Sequence, residues 1–550
     1  MSRKNLNKKD GGLRFLCTEF LFKYLLMILP FCLFFSYYPL IGLGGNESMN
    51  FELSLPLLWL VVFDVVAVVM MCERGVLFTG WRRKLAWVLF PVWLTLSVLW
   101  SLNPVRGVLT VGILWLIYLA VDGMWSLRDL CDMEFRRKWW KWFFGSSLLV
   151  CGWCVVQCVL DLVGVSQDYT LMCDGCTYRM FGFPHPNGFA IEPQFMGNLL
   201  LAPTMVGVWF VIKDDHNSIL RGRGSSLPSS RGSDPSSLDQ RSSAGRRLKT
   251  ESKLSVCSAP TAVGRDFRIV LKVLLPILFM MTLFLTFSRG AIYAFFVGMV
   301  MMSVMAVVGR REEWKVVLKR VGMTWGLVVV AFLLTLNLQG VMAAISPTSD
   351  TYMDGVAKVI NHMSLGKIEI RGGGKQGFDD SSEDDSPRDG VIVENSVENS
   401  FDIEVTEAKE QSVFTGYVAE STNARLRLTG AAVEVWSQDF SKMVFGVGLG
   451  GAGWALYNNG LSPAPKEIVQ NEYASLLLEA VVVGISLLVV SLVLVVRFVL
   501  KKCRGGAFLL LPLLVAYGVS LLFFSGLPNA LQIYLMPGVL AAVLCGAKNH

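Results

Sequence analysis

Arg289 stands in the stretch TFSRGAIYAFF (286–296), between two runs, 274–287 and 290–309, that carry no charge. An arginine at mid-membrane costs at least ~2.5–3.5 kcal/mol on insertion scales. Near the end of a span the side chain snorkels and the cost falls. Two roles fit such a guanidinium: an interfacial anchor, or an anion site facing a cavity. Ser288 and Gly290 beside it leave room for close approach of a ligand or backbone. Glu192 raises a similar question. In NGFAIEPQFMGNLLLAP it precedes Pro193 inside a predicted span, with Arg179 and His185 just upstream. Backbone groups freed by proline are tolerated only where they face protein or water. Glu192 is therefore a candidate functional carboxylate, or else a buried structural partner or a helix start at the interface. Arg425 and Arg427 alternate in NARLRLTG and share a face on a strand or turn; the plain alternative is loop charge. CDGC (173–176) is a single CxxC, without the second pair of a zinc ribbon or the βαβ context of a redox motif, which leaves a loop disulfide or two free thiols. HExxH, the phosphate-binding P-loop and GxSxG are absent, and of four histidines His362 and His550 sit in polar context. Neither a metal site nor a cofactor is expected.

The elements that must position these residues are membrane spans. Of 550 residues 53% are hydrophobic, with 34 Phe and 16 Trp, and mean hydropathy is +0.51. Apolar windows of about 18 residues recur, each able to cross roughly 30 Å of hydrocarbon. The fold class is all-α and polytopic, with about twelve transmembrane helices. Their expected limits are 23–43, 54–72, 85–101, 105–124, 142–165, 188–212, 269–287, 290–309, 321–345, 473–499, 507–526 and 531–546. The basic N-terminus is followed by a retained first span rather than a cleaved signal peptide.

Loop charges set the predicted orientation. ERGVLFTGWRRK (73–84), EFRRKWWK (134–141), GRREEWKVVLKR (309–320) and KKCRGG (501–506) are rich in Lys and Arg. The opposite loops, GGNESMN (44–50), SLNP (101–104) and SGLPNA (525–530), have none. The basic side, with both termini, reads as cytoplasmic. The net charge of +7 thus lies in loops and does not point to nucleic acid. Five regions follow: spans one to six (1–212), a basic Ser/Gly-rich cytoplasmic linker of disordered composition (213–268), spans seven to nine (269–345), a large extracytoplasmic loop between spans nine and ten (346–470), and spans ten to twelve (471–550). Within the large loop, DDSSEDDSPRDG (379–390) reads as unstructured, and short interfacial helices are expected after about Ser421.

Six segments occur in an order that resembles the O-antigen ligase and polymerase superfamily of bacterial inner membranes. They are SVLWSLNPVRGVLTVGILWLIYLA (97–120), RMFGFPHPNGFA (179–190), TFSRGAIYAFF, ARLRLTGAAVEVW (424–436), FGVGLGGAGW (445–454) and VQNEYASLLLEAVVVGISLL (469–488). The resemblance implies a glycosyltransferase that takes a glycan from an undecaprenyl-diphosphate carrier at the outer face of the cytoplasmic membrane. The acceptor would be a glycan, a lipid or a protein. Arginines would hold the diphosphate without nucleotide or metal: Arg179, Arg289 and Arg427, with Arg425 close to the last. Asn187, Gln470 and Asn471 complete the implied substrate-binding set. Many ligases carry His-Asn where this chain has Gln470-Asn471 followed by Glu472. Glutamine cannot serve as a general base, so Glu472 or Glu192 supplies the carboxylate, or positioning and leaving-group stabilisation suffice. Two other functions accommodate the same features: a transporter or flippase of the lipid-linked glycan, and a non-catalytic assembly protein.

Overall fold

The computed structural model describes residues 3–36, 40–42, 52–77, 81–173, 176–178, 183–213, 262–309, 314–346, 351–364, 413–465, 467–503, 506–525 and 530–545. In chain order the helices are α1 (Arg3–Phe34), α2 (Leu55–Glu73), α3 (Trp81–Ser97), α4 (Pro104–Ser126), α5 (Met133–Leu162), α6 (Gln167–Thr170), α7 (Pro193–Lys213), α8 (Ala262–Leu285), α9 (Arg289–Gly309), α10 (Trp314–Ile345), α11 (Tyr352–Met363), α12 (Val413–Ser437), α13 (Phe440–Phe445), α14 (Ala452–Asn458), α15 (Glu472–Lys502), α16 (Ala507–Ser520) and α17 (Leu531–Cys545). Among the described residues eight are long and apolar enough to cross a membrane: α1, α2, α4, α5, α7, α9, α10 and α15. Four shorter apolar helices accompany them, Trp87–Trp100, Val273–Leu285, Ala507–Ser520 and Leu531–Cys545. The protein is an all-α, multi-pass membrane protein.

Burial separates the centre of the bundle from its rim. In α7, 89% of the apolar window is buried inside the protein, against 22% in α15. The outer flank of α15 exposes Val482, Val489, Leu492 and Val493. An apolar surface of this extent needs lipid rather than water against it. Small residues let neighbours approach α7, as expected where lipid removes the hydrophobic drive between helices. A Cβ on Gly197 would lie 2.8 Å from the Ala291 Cβ of α9, and one on Gly207 would lie 3.2 Å from Pro276 of α8.

Several expected limits shift. The first span, expected over 23–43, ends as helix at Phe34, and Leu40–Gly42 pairs antiparallel with Glu52–Ser54. Pro39 in the intervening sequence has no N–H to extend a helix ladder. All four basic stretches expected as loops are partly helical, because α3 begins at Trp81, α5 at Met133 and α10 at Trp314, and α15 runs to Lys502. Lys and Arg are good helix formers, and their charges snorkel from the ends of long helices. α7 begins at Pro193, so Glu192 precedes the helix and is exposed instead of lying within a span. The large loop holds α11 well before the helices expected after Ser421. Its start is a capping box: Thr351 Oγ1 accepts from the Asp354 N–H, and Asp354 Oδ2 accepts from the Thr351 N–H at 2.7 Å. α12 also starts ahead of that limit, at Val413. Most of the basic linker, 214–261, and the acidic stretch expected as unstructured, 379–390, lie outside the described residues.

Candidate functional site

Six element ends meet at one end of the bundle: the starts of α7, α9 and α15 and the ends of α8, α11 and α16. The segment after α16, 521–525, ties them. Gln194 Nε2 donates to the Phe523 carbonyl at 2.9 Å, the Glu472 N–H donates to the Leu521 carbonyl at 3.0 Å, and Ser525 Oγ donates to Glu472 Oε2 at 2.9 Å. Gly290 lets Phe523 seat directly on α9, since a Cβ there would lie 2.7 Å from the Phe523 Cβ.

Arg289 is the first residue of α9, half-buried, and follows a turn with an uncommon backbone: Phe287 has φ 49°. The Phe287 ring packs against Phe183 (centroids 4.4 Å), His185 (5.2 Å) and His362 (5.9 Å). His362, from the last turn of α11, is 4% exposed, and its Nε2 lies 3.1 Å from the Phe287 carbonyl oxygen. A carbonyl only accepts, so Nε2 carries the proton. His185 is 7% exposed, and its ring lies 5.7 Å from that of His362. Burial, then the charges of Arg289 and Arg425, push His362 down to about 4, against the opposing hydrogen bond to Phe287. Burial, His362 and Arg289 hold His185 well below the usual histidine range. Both imidazoles are thus neutral near pH 7, and among the described residues Arg289 and Arg425 supply the positive charge that acts on His362.

Arg425 reaches the same corner from α12, its Nη2 3.4 Å from Gln194 Oε1. Arg427 is exposed. On a helix, positions two apart point about 200° away from each other, so the shared face expected for a strand or turn is not formed. Of the two arginines that the resemblance implies here, Arg425 is the inward one and Arg427 the outward one. Arg179 lies outside the described residues.

Glu472 opens α15 and is 4% exposed. It lines a cavity of about 30 Å³ together with Arg106, Ser475, Glu479 and Ser525. Asn471 caps α15, its Oδ1 accepting from the Tyr473 and Ala474 N–H groups, and Gln470 is half-buried beside it. Glu479, one face-repeat further along α15, accepts from the Ala452 N–H at 3.1 Å. That bond fastens the glycine-rich turn 446–451 onto α15. Gly446, Gly448 and Gly450 have φ of 70°, 76° and 83°, values that disfavour any side chain. The Val447 N–H donates to the Leu478 carbonyl at 3.0 Å, and Ser101 Oγ donates to the Leu449 carbonyl at 2.7 Å. Arg106 and Glu479 were not singled out from sequence; an acid seven residues after Glu472 on the same helical face is the signal that finds Glu479.

Two candidates have other work. Asn187 is 1% exposed, and its Nδ2 donates to the Leu171 and Ala190 carbonyls at 3.1 and 2.6 Å, so it braces its own loop. Cys173 and Cys176 form a disulfide, the first of the two readings of CDGC. His362, polar in its sequence context, is 4% exposed in the fold. Among the described residues no group of three or more His, Cys, Asp or Glu is arranged to hold a metal ion. No family model, curated protein or solved structure matches the chain.

Proposed function

We propose that the protein is a membrane glycosyltransferase that moves or polymerises a glycan from an undecaprenyl-diphosphate-type carrier onto an acceptor hydroxyl. The observation that carries the proposal is the convergence of Arg289 and Arg425, 136 positions apart in sequence, on one half-buried corner with neutral histidines. Guanidiniums stay protonated and bind phosphate oxygens in pairs. A diphosphate leaving group gains charge in the transition state, and fixed cations in a poorly solvated site stabilise that charge most. The starts of α7 and α9 add the positive ends of two helix dipoles. Glu472, bound through the 521–525 segment to the same corner, is the carboxylate assigned to the acceptor hydroxyl. Exposed Glu192 is the weaker choice. The acceptor oxygen forms the new bond to the anomeric carbon, the bond to the carrier diphosphate breaks, and the acceptor proton passes to the carboxylate.

The finer topology belongs to the same reading. The four shorter apolar helices complete twelve crossings, the basic loops and both termini are cytoplasmic, and the site lies at the outer face of the cytoplasmic membrane. Segments that resemble the ligase and polymerase superfamily support it by their packing: FGVGLGGAGW lies between the SLNP turn and α15, and TFSRGAIYAFF lies against Phe183, His185 and α11. The test is purified protein in detergent with lipid-diphosphate-linked glycan and candidate acceptors. An enzyme forms product there without a sealed membrane, whereas a flippase or an assembly protein forms none. Arg289→Lys keeps charge and snorkelling but not the paired hydrogen bonds, so it should insert normally and lose on the order of 10²-fold in rate. Near-normal transfer by that variant leaves Arg289 as an anchor only.

A further inference from the structure

α11 lies in the part of the large loop with no assigned role, and its last two residues grip α9 on both sides of Arg289. His362 Nε2–H donates to the carbonyl of Phe287, two residues before Arg289, at 3.1 Å. The Tyr293 hydroxyl, four residues after it, donates to the Met363 carbonyl at 3.2 Å. The first bond holds a residue whose φ of 49° is unfavourable for a phenylalanine, directly ahead of the helix start. Local bonds also shape the turn. Thr286 Oγ1 donates to the Leu283 carbonyl at 2.7 Å, and the Ser288 N–H donates to Thr286 Oγ1 at 3.3 Å. They leave the Phe287 carbonyl for the histidine. α11 is itself seated on the end of α10 by small residues. A Cβ on Gly355 would lie 2.7 Å from the Ala343 Cβ, and one on Gly340 would lie 2.5 Å from the Tyr352 ring. The grip therefore has a fixed base.

We propose that His362 is a positioning residue: through the Phe287 carbonyl, and with Tyr293–Met363 as the second bond, it fixes the turn that aims Arg289. Its effect on catalysis rests on the glycosyl-transfer reading, while the effect on the turn does not. Full-length protein in detergent tests both. His362→Phe keeps a ring and removes the donor; His362→Gln supplies an amide N–H in place of Nε2–H. Hydrogen exchange at the amides of 286–292 needs no substrate, and it should quicken in His362→Phe and stay near wild type in His362→Gln. Transfer from lipid-diphosphate-linked glycan should fall about tenfold or more in His362→Phe, with the loss in kcat. It should recover to within about threefold in His362→Gln and fall no further when His362→Phe is added to Arg289→Ala. Where His362→Phe does not fold, Tyr293→Phe deletes one hydroxyl and should shift exchange and kcat in the same direction, less steeply. Unchanged exchange in His362→Phe, or equal exchange in the Phe and Gln variants, overturns the proposal. Additive losses with Arg289→Ala also overturn it, because His362 would then act elsewhere. Absence of transfer by the wild type, with exchange following the expected order, removes the glycosyl-transfer reading and sustains the positioning role.

Discussion

Arg425 and Arg427 form an internal control on one helix, and their replacement separates the inward from the outward guanidinium. Arg425 is half-buried, approaches Gln194 at 3.4 Å, and acts electrostatically on buried His362. Arg427 is exposed. Loss of one fixed donor to a developing anion costs about 2.7–4 kcal/mol, or 10²–10³ in kcat. An exposed substitution away from such a contact stays within about 0.5 kcal/mol, roughly twofold. Arg425→Ala and Arg427→Ala should therefore differ by on the order of 50-fold or more in transfer per unit of folded protein. The assay is product formation from lipid-diphosphate-linked glycan in detergent, normalised to monodisperse protein. Equal losses, or a larger loss at Arg427, would refute the assignment of the two faces and with it the site geometry built on Arg425.

Other outcomes follow from the same packing and charges. Gly290→Val should destabilise by about 1–3 kcal/mol, because Phe523 occupies the space of the new side chain; a thermal midpoint equal to wild type would contradict that contact. Histidine takes up a proton near pH 6.5 in an unfolded chain but only near 4 at His362, so stability is present above pH 6.5 and is lost as pH falls toward 4. Between about pH 7 and pH 5 the loss from this residue is on the order of 2 kcal/mol, read as a fall in thermal midpoint that is smaller in His362→Gln. Replacing 222–262 by a short flexible linker should preserve transfer, since that Ser/Gly-rich composition has no apolar face to lose; a stable but inactive product would give the linker a role. An impermeant thiol reagent on intact cells should label a cysteine placed at Ser381 and not one at Ser229, in a variant lacking Cys173 and Cys176, and the reverse pattern would invert the topology.

The membrane class was legible in the sequence because hydropathy is additive along the chain and needs no partner. The long uncharged runs on either side of Arg289 became the apolar parts of α8 and α9. The helix start at Pro104 also follows from local chemistry, since proline in the first turn costs no ladder hydrogen bond, whereas α7 starts at Pro193, five residues after the expected 188. α11 carries a local signal too, the Thr351-to-Asp354 spacing of its capping box. The side-chain directions needed the tertiary structure. Arg425 and Arg427 are equivalent in composition, and only the helical path of α12 sets them on different faces. His362 had no distinguishing neighbour in sequence; its burial exists because α11 folds back on α10 and reaches the Phe287 turn, 75 positions earlier. Glu479 and Arg106 likewise share a cavity through the contact of α15 with the glycine-rich turn and the start of α4. Hydropathy and capping act over a few residues and can be read from them. Burial and electrostatic neighbourhood depend on which distant segments pack together, and the bundle alone decides that.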